Sequence, residues 1–141
     1  MKEIAKRKND HINICLEKDV KARKVTAGFE DIKLVHRALP EIRRSDIDTS
    51  TVVFNHRFAA PLLVGAITGG TEKARKINLS IAEAVEELGL GMGVGSQRIA
   101  IENPELEKTF AVVREKAPTA FVIANIGAPQ LVTGYGIEEA K

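Results

Sequence analysis

Three basic residues near the start of the sequence have the types and the spacing that bind an anion. Arg7 and Lys8 precede His11, and on a helix Arg7 and His11 are four residues apart and share one face. Arginine presents a planar fork of donors and lysine presents a point charge, so that together they suit a diphosphate. A solvated and partly frayed chain terminus is the alternative interpretation of the same residues.

A second candidate for anion binding is the run of Ser96, Gln97 and Arg98, which follows the glycine-rich segment 91–95. Hydroxyl, amide and guanidinium groups can all donate hydrogen bonds to an anion. An ordinary surface loop explains this run equally well. The glycines alternate and no helix is predicted directly after them, so their pattern disfavours a dinucleotide-binding fingerprint.

Three short apolar runs must position these side chains. The runs 60–67, 90–95 and 120–124 predict buried strands, because each is too short for a core helix and is bounded by glycine or proline. Amphipathic helices are predicted between them, over 72–88 and from Asn103 onward, where a cap residue precedes a proline. Strands that alternate with helices predict a parallel sheet with helical crossovers.

The ends of these strands are the expected place for chemistry. Thr68, Ser96 and Asn125 each follow one of the three runs. Because the carboxyl ends of parallel strands lie at one edge of a sheet, we expect the three side chains to face a common mouth. The glycines beside them leave backbone N–H groups accessible to a flat or anionic ligand.

The residues before the first strand predict a different kind of structure. We expect residues 1–24 to form a helical or irregular arm, residues 28–39 a helix that ends before a proline, and residues 51–59 a small hairpin. The chain therefore divides into 1–59, containing the arm, helix and hairpin, and 60–141, containing the strand–helix units.

Composition argues against a nucleic-acid partner and a membrane partner, and it indicates a reducing compartment. The 141 residues carry a formal net charge of +2 and only 4% aromatic residues without tryptophan, which disfavours a nucleic-acid partner. No apolar run approaches the roughly 20 residues that span a bilayer, so no membrane partner is expected. Cys15 is the single cysteine, which fits a reducing cytoplasm, and we expect it to be a packed thiol.

Five motifs occur together and cover nearly the whole chain, at 7–11, 29–41, 61–70, 93–98 and 124–128. In their order and gaps the sequence resembles the type 2, flavin-dependent isopentenyl diphosphate isomerases. The resemblance implies an α/β fold, a TIM (β/α)8 barrel of which this chain supplies the N-terminal arm and about the first three βα units. It also implies interconversion of isopentenyl diphosphate and dimethylallyl diphosphate by a 1,3-allylic proton shift, with reduced FMN as the acid–base group.

The same resemblance implies roles for individual residues. Ala66, Ile67 and Thr68 would lie against the flavin, and Ser96 and Asn125 would hydrogen-bond to it. No catalytic side chain is implied beyond the supporting one of His11. Six residues are implied to surround the diphosphate: Arg7, Lys8 and Arg98 as the cations that hold it, Ser96 and Gln97 beside it, and His11, which helps to position it.

Cofactors and assembly follow from the resemblance as well. FMN, NAD(P)H as reductant and Mg²⁺ to offset the diphosphate charge are implied, with no metal ligand in this chain and the metal ligands expected beyond Lys141. A homo-oligomer in the cytoplasm is expected.

The length of the chain departs from the family pattern. A (β/α)8 barrel takes about 250 residues, so the 141 residues are predicted to be the N-terminal part of a longer protein, ending in a helical connection at 137–141. Alone, the piece is expected to be unstable or to aggregate and to hold FMN weakly. Two other hypotheses stay open: another FMN-dependent TIM-barrel oxidoreductase, which the basic arm disfavours, and a non-catalytic truncated fragment.

Overall fold

A helix, a hairpin and three strand–helix units follow one another along residues 2–135, the part of the chain that the computed structural model describes. The N-terminal arm is helical over Lys2–Glu17 (α1), and Ile12 is its buried residue. The predicted connection at 137–141 lies outside the described residues.

The prediction of a helix over 28–39 is wrong. A single 3₁₀ turn forms in this range, at Phe29–Asp31. Another lies further along the chain, at Arg44–Asp46, and the rest of 18–50 is irregular. Leu34 and Val35 are each 91% exposed. Because helices in proteins are stabilised mainly by packing of an apolar face, helical spacing alone does not produce a helix where the described residues offer that face no partner.

The predicted hairpin is confirmed. Strands Thr51–Val53 (β1) and His56–Phe58 (β2) pair antiparallel, with Val53 opposite His56. Its turn lies at Phe54 and Asn55, one residue before the expected position, and both have positive φ angles, of 49° and 60°. A two-residue turn of that kind matches the twist of paired strands.

The parallel sheet is also confirmed, with shorter strands than the apolar runs suggested. Leu63–Val64 (β3), Gly91–Gly93 (β4) and Phe121–Ile123 (β5) lie in the order β3–β4–β5 and pair in parallel. Leu63 is opposite Gly91, and Gly91 is opposite Phe121. The three strands therefore end at the same edge.

The first crossover helix has the predicted limits. It spans Glu72–Leu88 (α2), begins at a cap in which the Thr71 side chain accepts from the Ala74 N–H at 3.1 Å, and ends at Gly89 with a left-handed φ of 62°. Leu88, expected on its apolar face, is exposed. Four of its residues are buried: Ala74, Asn78, Ala82 and Val85.

The second crossover contains one helix that was predicted and one that was not. The Asn103 side chain caps a 3₁₀ turn at Pro104–Leu106, and a helix follows at Lys108–Lys116 (α4), as expected. A short helix at Arg98–Glu102 (α3) precedes them, and the last described helix is Ala128–Thr133 (α5). Helices α2 and α4 pack together over β4. The core between them includes Val85, Met92, Val112 and Val113.

Aromatic side chains close the amino end of the sheet. Phe58 is only 4% exposed, and its ring centroid lies 5.4 Å from that of Phe121 and 5.3 Å from that of His56. The Ala59 N–H donates to the Gly89 carbonyl at 2.8 Å, which fixes the hairpin to the end of α2. The hairpin thus packs where β4 and β5 begin.

Two charged side chains fix the loop that leads into β5. The Glu86 carboxylate accepts from the Thr119 hydroxyl at 2.5 Å and from the Ala120 N–H at 2.8 Å. From the neighbouring helix, Arg114 donates to the carbonyls of Ala117 at 2.9 Å and of Ala120 at 3.1 Å. These bonds hold the start of β5 against both crossover helices.

Candidate functional site

Main-chain hydrogen bonds join the loops that follow the three strands. The Gly95 N–H donates to the Thr68 carbonyl at 3.2 Å, and the Gln97 N–H donates to the Asn125 carbonyl at 2.8 Å. Gly95 has to be a glycine here, because a Cβ at this position would lie 2.5 Å from the Thr68 carbonyl carbon. The loops carrying Thr68, Ser96 and Asn125 are therefore adjacent, as the strand-end pattern predicted.

A buried network holds the loop after β3. The Asn78 side chain donates to the Thr68 carbonyl at 3.2 Å and to the Thr109 carbonyl at 3.3 Å. The Thr109 hydroxyl accepts from the Gly70 N–H at 2.9 Å and donates to the Leu106 carbonyl at 2.6 Å. Because the polar atoms of a buried network must all be satisfied, these bonds specify one loop conformation.

Helix α1 lies against this loop region. The Lys8 ammonium donates to the Ser96 carbonyl at 3.3 Å, and the Lys73 ammonium of α2 donates to Asn13 at 2.7 Å. Desolvation by burial, and secondly the neighbouring Arg7 charge, lower the pKa of Lys8 from its ordinary value. Ile12 is buried beside these contacts. Hydrogen bonds from Lys8 and to Asn13 therefore hold the helix beside the loops that follow the strands.

A cavity of about 750 Å³ lies between α1 and the strand ends. That volume is within the range of about 300–1,000 Å³ that is typical of small-molecule sites. Two chemical kinds of side chain line it. The polar ones are Arg7, Lys8, His11, Thr68, Ser96 and Arg98, and the apolar ones include Ile12, Ile14, Leu16, Ile67, Ile77 and Ile99.

The charge of the cavity wall has one sign. Arg7, Lys8 and Arg98 are cations, and no carboxylate occurs among the described residues that line the cavity. Cations that line a cleft raise the local concentration of anions in it. The lining can therefore attract an anionic group, and it also offers apolar side chains to a hydrocarbon group.

Arg98 is held from outside the cavity wall. Its Nε donates to Glu102 Oε1 at 2.7 Å, one helical turn further along α3, and the Tyr135 hydroxyl donates to the same oxygen at 2.9 Å. The hydrogen bond to Glu102, and then the Glu102 charge, raise the pKa of Arg98, while the bonds from Arg98 and Tyr135 lower the pKa of Glu102.

Most of the residues that the sequence pointed to are brought together. Eight of them line the cavity: Arg7, Lys8, His11, Ala66, Ile67, Thr68, Ser96 and Arg98. Gln97 and Asn125 are outside this lining. Gln97 instead lines a second cavity, of about 510 Å³, beside α4 and β5. Asn125 is half-buried and contributes its backbone carbonyl to the bond with Gln97.

Several residues of the site were missed or misjudged from the sequence. Cys15 is exposed and lines the cavity, so the expectation of a packed thiol is wrong; it lies on the face of α1 that remains open. Glu102 and Tyr135 lie 33 positions apart and Asn78 and Thr109 lie 31 apart. Only the pairing of Arg98 with Glu102 could have been predicted locally, because residues four positions apart on a helix lie on the same face.

Asn9 has an unusual environment next to Lys8. Its Oδ1 is buried and accepts no hydrogen bond from any residue in the described range. Buried polar atoms are nearly always paired.

No group of three or more His, Cys, Asp or Glu side chains within residues 2–135 is arranged to hold a metal ion. Over the same residues, the helices are too short or too polar to cross a bilayer.

Comparison with known proteins adds a family and a set of relatives. The family model described as FMN-dependent dehydrogenase matches residues 1–126. The chain is 55% identical over 139 residues to an isopentenyl-diphosphate delta-isomerase of Ignicoccus hospitalis, which is 99% of this chain and 38% of that protein. It is 51% identical over 134 residues to the enzyme of the same name from Methanococcoides burtonii, covering 95% of this chain and 37% of the relative. The chain thus corresponds to the N-terminal part of these relatives, little more than a third of their length.

Proposed function

Because the chain belongs to the FMN-dependent dehydrogenase family, we propose that it supplies the N-terminal part of an FMN-dependent isomerase that interconverts isopentenyl diphosphate and dimethylallyl diphosphate. The observation that carries the proposal is the composition of the cavity wall, to which Arg7, Lys8 and Arg98 contribute three cations while no carboxylate occurs among the described lining residues. The relatives from Ignicoccus hospitalis and Methanococcoides burtonii carry the name of this enzyme.

The shape of the wall supports a substrate with an anionic head and a hydrocarbon body. In the proposal, Arg7, Lys8 and Arg98 bind the diphosphate, with Ser96 beside it and His11 helping to position it. Gln97, which was expected beside the diphosphate as well, lines the second cavity and is not part of this proposal. Arginine forks and a lysine point charge suit the diphosphate oxygens. The isoleucines among the lining residues would pack against the hydrocarbon part, where a proton must be gained and lost.

The loop after β3 fits a flat cofactor. Ile67 is 64% exposed over the cavity, and a Cβ added to Gly65 would find no atom within 4 Å, so this stretch of chain offers an open surface. We place the FMN ring against Ala66, Ile67 and Thr68, with the Ser96 hydroxyl and the Asn125 amide as hydrogen-bonding groups. Bound and reduced, FMN would supply the acid–base chemistry of the allylic proton shift.

The rest of the predicted machinery belongs to the same proposal. NAD(P)H would reduce the FMN, and Mg²⁺ would offset the diphosphate charge through ligands supplied from outside residues 2–135. The sheet of three strands would continue into a (β/α)8 barrel, because β3 and β5 each have one unpaired edge within the described residues. We propose that residues 60–141 begin this barrel, that residues 1–59 form its N-terminal arm and hairpin, and that the protein is a cytoplasmic homo-oligomer.

A second function is favoured by one specific observation. The matching family model is described as FMN-dependent dehydrogenase, so an FMN-dependent oxidoreductase is the alternative. Both enzymes would bind FMN at the strand ends, and they differ in what happens to the electrons. An isomerase returns its flavin unchanged, whereas an oxidoreductase passes electrons through its flavin and consumes an electron donor or acceptor with each turnover.

The experiment uses a chimera in which this chain replaces the matching segment of the Ignicoccus hospitalis relative. The chimera is incubated with FMN, dithionite, Mg²⁺ and isopentenyl diphosphate. Formation of dimethylallyl diphosphate without stoichiometric consumption of reductant is expected. Turnover that consumes reductant would favour the oxidoreductase, and a folded, FMN-loaded but inactive chimera would favour a non-catalytic fragment. The unmodified relative, assayed in parallel, is the positive control.

Two substitutions in the chimera test the assigned roles. Arg98→Ala is expected to weaken diphosphate binding by about 1–3 kcal/mol, the usual contribution of a charged hydrogen bond, and to leave FMN affinity nearly unchanged. Asn125→Ala is expected to do the reverse. Calorimetric titration with each ligand measures both effects. Equal effects of the two substitutions on both ligands would contradict the roles.

A further inference from the structure

Arg98 differs from the other cations of the cavity in being tied to a carboxylate. Its Nε donates to Glu102 at 2.7 Å, whereas no described acidic side chain pairs with Arg7 or Lys8. Glu102 is in turn fixed by the Tyr135 hydroxyl at 2.9 Å. Glu102 is the last residue of α3 and Tyr135 follows α5, so the link joins the helix after β4 to the segment that follows the helix after β5.

The bond to Glu102 uses Nε alone, and the Arg98 side chain also interacts with the Tyr135 hydroxyl. Of the five N–H donors of the guanidinium, the four on the two Nη atoms are those that form a fork with phosphate oxygens. An arginine side chain that is free in solution loses rotamer freedom when it binds an anion, and that loss lowers affinity. Holding Nε in advance reduces the loss, because part of the ordering already exists in the free protein.

We propose that Glu102 and Tyr135 are positioning residues that orient the Arg98 guanidinium toward the cavity for the phosphate group of the substrate. The proposal rests on the function proposed above, since it assumes that Arg98 binds a diphosphate. Neither residue lines the cavity, so both act through Arg98 and not by contact with the ligand.

The sign of the expected effect separates positioning from plain electrostatics. Glu102 is negative and close to the cavity, so removing its charge would by Coulomb repulsion alone strengthen the binding of an anion. If Glu102 positions Arg98, removing it weakens binding instead. The two possibilities therefore predict opposite changes from one substitution.

The test measures inorganic pyrophosphate binding by calorimetry in the chimera, together with kcat and KM for isopentenyl diphosphate. Glu102→Ala is expected to weaken pyrophosphate binding about fivefold, the upper end of what an exposed ion pair contributes, and to raise KM with kcat nearly unchanged. Glu102→Gln keeps an oxygen that accepts from Nε and is expected to restore most of the affinity. Tyr135→Phe is expected to give a smaller loss in the same direction.

Two controls identify the route of the effect. Glu105→Ala removes an equal charge from the 3₁₀ turn after α3, where its side chain has no described contact with Arg98, and is expected to leave binding unchanged or slightly stronger. In an Arg98→Ala background, Glu102→Ala is expected to have no further effect, because the residue acts through Arg98.

The outcomes are distinguishable. Tighter or unchanged pyrophosphate binding in Glu102→Ala, with weaker binding in Arg98→Ala, would overturn the positioning role and leave the proposed function standing. Unchanged binding in Arg98→Ala would overturn both, because the diphosphate would then lie elsewhere. A loss in Glu102→Ala that persists at full size without Arg98 would also overturn the positioning role.

Discussion

The two ends of the parallel sheet are built in opposite ways. At the amino end, side chains bind one another: Phe58 packs on Phe121, and Glu86 accepts hydrogen bonds from the loop that leads into β5. At the carboxyl end, main-chain and buried amide bonds hold the loops, and polar side chains such as Ser96 and Arg98 face a cavity.

This difference separates stability from binding. Side chains such as Phe58 and Glu86 at the amino end contact other parts of the protein, whereas several at the carboxyl end, such as Ser96 and Arg98, line a cavity. Parallel α/β folds generally place their chemistry at the carboxyl end. Substitutions at the two ends are therefore expected to affect different measurements.

The largest effect is expected from Phe58→Ala at the amino end. The side chain is 4% exposed, and truncation of a buried phenylalanine costs about 3–5 kcal/mol. Urea unfolding of the chimera should show this loss, while the folded chimera should bind pyrophosphate with unchanged affinity. Phe54→Ala is the matched control, because Phe54 stacks in the same aromatic group but is 85% exposed. Equal losses in the two variants would contradict the role assigned to Phe58.

An intermediate effect is expected from Asn78→Ala, which lies under the carboxyl end. Asn78 is 2% exposed, and its loss leaves the Thr68 and Thr109 carbonyls without their amide donor, at a cost of about 1–3 kcal/mol. Unlike Phe58→Ala, it should also weaken FMN binding, because the loop after β3 loses its support. Flavin fluorescence titration checks this.

The control for Asn78 is Ser80→Ala, at an exposed position of the same helix. It should change neither the free energy of unfolding nor FMN affinity. Unchanged FMN affinity in a destabilised Asn78→Ala chimera would show that the network supports only the fold. It would contradict the expectation that a substitution under the carboxyl end affects ligand binding.

The smallest effect is expected from Glu86→Gln and depends on pH. The Thr119 hydroxyl, then the Ala120 and Thr119 N–H groups, lower the pKa of Glu86 in the folded protein. A carboxylate with a lowered folded pKa stabilises the fold above its unfolded value, about pH 4.3, and this contribution is lost as the pH falls through the folded value. Wild-type and variant midpoints in urea should therefore differ at pH 6 and converge under acid conditions.

A second variant sharpens the Glu86 prediction. Thr119→Val removes the hydroxyl that contributes most to the pKa shift and should flatten the acid profile in part. Pyrophosphate affinity at neutral pH should be the same in both variants, since Glu86 lies at the end of the sheet remote from the cavity. A midpoint difference that grows toward acid pH would contradict the sign of the effect.

Local signals in the sequence predicted most of the scaffold. The limits of α2 follow from Thr71 and Gly89, which start and stop a helix by their own chemistry. Apolar runs bounded by glycine or proline predicted the three strands. Because parallel strands end at the same edge of a sheet, the adjacency of the loops after β3, β4 and β5 could be predicted as well. The helical spacing of apolar residues over 28–39 led to a wrong helix prediction, because exposed apolar residues in an irregular segment can have the same spacing by chance.

The remaining parts of the site depend on tertiary structure. The pairing of Asn78 with Thr109 and of Glu102 with Tyr135 arises only when crossover helices and loops meet. The separation of Gln97 from the cavity has a similar cause: α3 starts immediately after it, so successive side chains point in different directions. Adjacent positions in a sequence motif therefore need not share one ligand.

The main-chain bond between Gly95 and Thr68 has a consequence for how this family can diversify. Main-chain bonds, together with the buried side chains of Asn78 and Thr109, hold the loops of the rim, so replacing a side chain that lines the cavity is expected to leave the architecture intact. Evolution can then exchange specificity one residue at a time, which is compatible with a single ancestral framework giving rise both to proteins described as dehydrogenases and to proteins named isomerases.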